Sequence, residues 1–103
     1  MDQGTVLTRN PNVAYRIYDG EATVVMPDRA EVKVVNQIGS VVWDKIDGKR
    51  TVGQIVESAL EQVLADYDVT PEEARRDILA FLGDLREHGM VDPAEVREQE
   101  KVS

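Results

Sequence analysis

The chain predicts an α+β domain, winged helix-turn-helix-like, in which a three-stranded antiparallel N-terminal sheet precedes three helices. Three observations carry this prediction. Residues 1 to 35 are β-prone and broken by turn pairs. From residue 36 onward the apolar period changes from two to between three and four. Each later helical segment also carries its own start and stop signals. Strands followed by a run of helices with short turns define the α+β class, and the three helices have the lengths of a helix-turn-helix core.

The elements can be justified in order. Thr5-Val-Leu-Thr8 is a short leading strand. Val13 to Tyr18 is a second, ended by Asp19-Gly20, and Ala22 to Met26 a third, ended by Pro27-Asp28. Glu31-Val-Lys-Val-Val35 alternates polar and apolar residues as a half-buried strand does. Asn36 is suited to cap the first helix, whose apolar face is Ile38, Val41, Val42 and Ile46 with Trp43 beside it; Gly48 is its expected left-handed stop. Thr51-Val-Gly-Gln54 has capping-box spacing ahead of Val52, Ile55, Val56, Ala59, Leu60, Val63 and Leu64, and this helix should end near Tyr67. Thr70, Pro71 and Glu73 open the third helix with a second capping box; Ala74, Ile78, Phe81, Leu82 and Leu85 form its core stripe, and Gly89 stops it. Met90-Val91 is expected to add a short edge or wing contact. Residues 1–91 make one domain, and 92–103 are expected to form a charged, flexible tail.

Composition narrows the function classes. The chain has 103 residues and no cysteine, which removes disulfides, thiolate metal sites and cysteine nucleophiles. Twelve basic against twenty acidic side chains give a net charge of −8, which opposes phosphate-backbone binding. A winged-helix DNA-binding regulator is the alternative that the fold class invites. Against it, residues 70–89 hold three arginines and five carboxylates. No signal peptide or membrane span is read, so a cytoplasmic protein with no membrane or nucleic-acid partner is expected.

No nucleophile–base pair, cofactor motif or metal set is visible, so no catalytic residue, metal or cofactor is expected and the chain is not read as an enzyme. His88 is a lone histidine near a helix end, and Glu72 and Glu73 suit a helix start. On the third helix, Arg75, Arg76, Leu79, Leu82, Gly83 and Arg86 share one side by three- and four-residue spacing. An apolar spot framed by guanidinium groups suits a peptide carrying carboxylates and an apolar anchor. Gly83 costs about 1 kcal/mol relative to alanine inside a helix. Close approach of a ligand, or tight packing against the sheet, would account for it.

One set of residues, taken in order and spacing, points further. It comprises Val35-Asn36, Gly39, Trp43, Asp47-Gly48, Thr51-Val-Gly-Gln-Ile-Val56, Tyr67-Asp-Val69, Phe81-Leu-Gly-Asp-Leu85 and Gly89-Met-Val91. From Ala30 to Val91 the chain resembles the PqqD family, named for a pyrroloquinoline quinone (PQQ) biosynthesis protein and related to the recognition elements of ribosomal-peptide (RiPP) pathways. The resemblance implies a non-catalytic peptide chaperone. Such a protein binds the leader of a precursor peptide as a strand added beside the third strand, against the third helix, and presents it to a maturation enzyme, often a radical SAM enzyme. Carried onto this chain, the peptide-binding residues are Glu31, Val32, Lys33, Val34 and Val35 on the edge, with Arg75, Arg76, Leu79, Leu82, Gly83 and Arg86 on the helix. Strand addition needs an unpaired edge with side-chain pockets beside it, and Lys33 is of the type that guards such an edge. A generic protein-interaction adaptor is the other alternative, and the chain is expected as a monomer or a strand-exchanged dimer.

Overall fold

A computed structural model describes residues 2–18, 21–26 and 30–94. The expected turns at Asp19-Gly20 and Pro27-Asp28, and the tail from 95 onward, lie outside the described residues. The elements are β1 (Leu7–Arg9), β2 (Ala14–Tyr18), β3 (Glu21–Met26), β4 (Glu31–Val35), α1 (Gln37–Lys45), α2 (Val52–Asp66), α3 (Pro71–Glu87) and β5 (Val91–Pro93). The architecture is α+β and winged-helix-like, as the sequence predicts: β2, β3 and β4 form an antiparallel meander, followed by three helices.

The register of the meander decides which side chains meet the helices. Val24 pairs with Tyr15 on one side and Lys33 on the other, while Ala22 pairs with Val35 and Met26 with Glu31. Ala22, Val24, Met26 and Val35 are buried on the face turned to the helices. Successive residues of a strand point to opposite faces, so Val32 and Val34 stand on the outer face, 63% and 60% exposed.

The leading strand does not join this meander. β1 pairs with β5, Leu7 opposite Pro93 and Arg9 opposite Val91, making a separate two-stranded ribbon. The Met90-Val91 contact is therefore present, and it draws Asp92 and Pro93 into a strand. The same N-terminal segment satisfies backbone groups that helix ends leave without partners. The amides of Val52 and Gly53 donate to the carbonyls of Thr5 (2.7 Å) and Gln3 (2.9 Å). Asn10 donates through its side chain to the Gly89 carbonyl and through its backbone to Met90.

Capping follows the sequence closely, with two differences. Asn36 caps α1, and Thr51 with Gln54 forms a reciprocal box on α2. At α3, Thr70 accepts from the Glu73 amide, but its hydroxyl donates to the Glu73 carboxylate at 3.1 Å, so the box is not reciprocal. α1 ends at Lys45, and Gly48, at φ 79°, shapes the turn beyond it rather than the helix stop. In that turn Asp47 accepts from the amides of Lys49 and Arg50, each at 2.9 Å, and these bonds hold its carboxyl below the usual range. Gly89, at φ 70°, closes α3 as expected.

The core is one apolar cluster shared by all layers, with Val42, Val52, Ile55, Val63, Ala74, Ile78, Leu82 and Leu85 fully enclosed. Trp43 belongs to it. The Arg9 guanidinium lies 4.8 Å from its ring centroid, and Tyr15 stacks at 6.2 Å. Leu64, placed on the apolar stripe by its spacing, is 37% exposed.

Gly39 sits where α1 packs closely on β4 and α3. A Cβ there would stand 2.7 Å from Val35 Cγ1 and 3.1 Å from Phe81 Cε1. Gly39→Ala is therefore expected to destabilise the fold by about 1–3 kcal/mol through overpacking, although alanine is the better helix former. Thermal melts followed by circular dichroism check this; a raised melting temperature would contradict it.

Candidate functional site

β4 is an edge strand. β3 occupies one side, and among the described residues no strand pairs with the other. The open side faces α3, and the two are joined by polar contacts. Lys33 Nζ lies 2.7 Å from Asp84 Oδ2 and 5.9 Å from the Phe81 ring centroid, and His88 Nδ1 lies 3.3 Å from Glu31 Oε2. The result is a groove with β4 on one side and Asp77, Ala80, Phe81, Asp84 and His88 along the other. The Lys33–Asp84 bridge stands across it. On one side of the bridge is a cavity of about 290 Å³ reaching Asn36, Ile38 and Asp77; on the other is one of about 300 Å³ between Glu31, Val32, His88 and Met90.

The residues expected on the edge are thus in place, but Lys33 does not guard it. Its side chain turns inward onto α3, leaving Val32 and Val34 as the outward pair.

The helical residues expected beside the edge lie elsewhere. Leu79, Leu82, Gly83 and Arg86 line a different and larger cavity of about 690 Å³, closed by residues of the N-terminal segment and by Pro93. Arg75 pairs with Glu57 of α2 at 3.2 Å, and Arg76 is exposed. Leu82 is fully buried and contributes only to the floor. The buried row Ala74, Ile78, Leu82 and Leu85 runs between these two flanks of α3. The structure therefore does not bring the two halves of the expected site together.

The residues that do face β4 are those sequence reasoning left out. Phe81, on the core stripe by its spacing, is only partly buried against the core and also reaches the groove. Asp77, Phe81, Asp84 and His88 follow the same three- and four-residue spacing as the arginine side. The signal was present, but nothing in the sequence alone says which flank meets the strand.

Gly83 also resolves. A Cβ at this position would meet nothing within 4 Å among the described residues, so their packing does not require glycine there. Gly83→Ala is expected to raise stability by about 1 kcal/mol and the melting temperature by roughly 4–8 °C. A lowered melting temperature would show a contact that the open surface does not contain.

Among the described residues no group of three or more histidines, cysteines or carboxylates is placed to hold a metal ion. Nor is any described helix long and apolar enough to cross a membrane. Asp84 is the perturbed group of the groove. The hydrogen bond from Lys33, then its charge, holds the Asp84 carboxyl below its ordinary value of 3.8. A lowered carboxyl pKa favours the folded arrangement above the ordinary value and loses that contribution as pH falls through the folded one. Lys33→Met should therefore raise the Asp84 titration midpoint, as read by carboxyl carbon NMR from about pH 2 to about pH 6, which spans the ordinary carboxylate range. An unmoved midpoint would mean that the bridge does not form in solution.

The fold and the β4 edge define a class: a small α+β, winged-helix-like domain in which an edge strand of the sheet is walled by a helix. The family model for coenzyme PQQ synthesis protein D (PqqD) matches residues 21–91, more than half of the chain, and the chain belongs to this family. Two solved structures share the fold. One is a lasso peptide synthetase B1 complexed with the leader peptide, at TM-score 0.70 and 18% identity, covering 85% of this chain and 99% of that one. The other is TbiB1 in complex with the TbiA(beta) leader peptide, at TM-score 0.65 and 21% identity, covering 82% and 94%. A comparison with curated protein sequences finds no match.

Proposed function

We propose that this protein is a non-catalytic peptide adaptor. It takes the leader of a ribosomally made precursor peptide as a strand along β4 and presents it to a modifying enzyme, in PQQ or a related RiPP pathway. The observation that carries this reading is the open edge of Glu31–Val35 facing a groove on α3. Membership of the PqqD family supports it, as does the likeness to two domains described with leader peptides. The backbone of β4 supplies affinity through ladder hydrogen bonds, and side-chain pockets on the two faces supply selectivity. One face of the added strand meets Val32 and Val34. The other meets Phe81, Asp77 and the Lys33–Asp84 bridge.

Charge weighs against the DNA-binding reading. α3 would be the reading helix, and carboxylates outnumber arginines on it within a chain of net charge −8.

The test is titration of a fluorescent leader peptide with NMR mapping on the protein. Binding should perturb the amides of 31–35 and the Phe81 ring. A leader N-methylated at alternate residues should lose affinity by about tenfold or more, the scale of two lost hydrogen bonds. Absence of leader binding, alone and with the enzyme, would sink the reading, as would tight duplex DNA binding with a steep salt slope.

A further inference from the structure

The two flanks of α3 are separated by its buried stripe, so a strand seated on β4 leaves the arginine flank uncovered. That flank has features the fold does not need. Leu79 is 39% exposed. By helical spacing Arg75 and Arg76 precede it and Arg86 follows it. Gly83, one turn on, costs helix propensity, and among the described residues no contact requires a glycine there. Leu79, Gly83 and Arg86 together line the cavity of about 690 Å³. Among the described residues Arg76 and Arg86 have no ion-pair partner, while Arg75 holds Glu57. Asp2, at the cavity rim, has its carboxylate engaged by the Gly4 amide at 3.1 Å. Two α3 carboxylates border this flank, Glu72 four residues before Arg76 and Glu87 four residues after Gly83, and each is about two turns from Leu79.

We infer that this flank is a second docking surface, for a segment of the modifying enzyme that carries carboxylates and an aliphatic side chain. The inference rests on the adaptor reading above: an adaptor must hold peptide and enzyme at once, which requires two surfaces that do not overlap. The aliphatic side chain enters beside Leu79. The carboxylates meet Arg76 and Arg86, and the missing side chain at Gly83 lets the partner backbone approach the helix. In a chain of net charge −8, two arginines without an ion-pair partner among the described residues, on the same side of α3 as one exposed leucine, offer an acidic segment a place to dock.

The experiment uses the full chain, the labelled leader and the purified modifying enzyme encoded with the precursor peptide. Leu79→Asp, Arg86→Glu and Gly83→Gln all alter exposed positions, and the last adds a side chain into open space, so melting curves should confirm folding. Each variant should weaken enzyme binding by about tenfold or more, as loss of an interface anchor does, with leader affinity unchanged. Enzyme affinity unchanged in the three variants would overturn the inference, as would a parallel loss of leader affinity. If the wild-type chain binds enzyme through this flank but no leader, the second surface stands and the leader reading falls.

Discussion

The rotation of α3 about its own axis governs everything else on the surface. Four side chains set it: Ala74, Ile78, Leu82 and Leu85, each fully buried against the other layers. Turning the helix by a quarter would bring at least two large aliphatic side chains into water, at about 1.5–3 kcal/mol each. The helix is also held at both ends, by the Thr70 cap and by Gly89 with Asn10 on its carbonyl. With the stripe fixed, Asp77, Phe81 and Asp84 can only face β4, and Leu79, Gly83 and Arg86 can only face away. One buried row thereby produces two surfaces of different chemistry, one apolar and carboxylate-bearing, the other apolar and arginine-bearing.

The N-terminal segment explains why the second of these surfaces is a cavity rather than a flat helix face. It is bonded to the start of α2 through Val52 and Gly53, to the 47–50 turn through Gly48 and Arg50, and to β5 through the β1 ladder. These bonds satisfy helix-terminal groups that would otherwise need water. They also raise a wall opposite Leu79 and Leu82. The meander is tied in separately, by Ala22, Val24 and Met26 in the core and by Tyr15 stacked on the Trp43 ring, whose other contact, Arg9, comes from β1.

Local chemistry was legible in the sequence and non-local pairing was not. The caps at Asn36, Thr51 and Thr70 and the α3 stop at Gly89 were readable because each depends on a few neighbouring residues. The order β2-β3-β4 was readable because alternation and short turns imply a meander. The β1–β5 ribbon joins residues more than eighty positions apart, and neither strand has enough residues to advertise a partner. The placement of the candidate helical residues turns on the same step. Spacing on α3 identifies two rows of side chains, but which row meets the strand depends on tertiary packing. Gly39 illustrates the limit. Its place in the family pattern was visible, whereas its reason, the 2.7 Å approach of Val35, exists only once strand and helix are packed.

The Lys33–Asp84 bridge bears on how an open edge can be both safe and usable. An exposed strand edge invites pairing with other chains, and short length and charge are the common protections. β4 has only five residues, and the whole chain is strongly acidic, so copies repel one another. The inward turn of Lys33 forgoes the outward guard but fills the groove, dividing it into two small cavities. An exposed ion pair of this kind contributes about 0–1 kcal/mol. A strand that satisfies the β4 backbone gains several hydrogen bonds, each about 0.5–1.5 kcal/mol net. On the adaptor reading, a correctly patterned peptide can therefore part the bridge and join the cavities. A stray chain that cannot fill the groove gains fewer of those bonds and must still displace the bridge. Selectivity then comes from the groove and the two outward valines, with the backbone edge supplying affinity that any extended peptide would share.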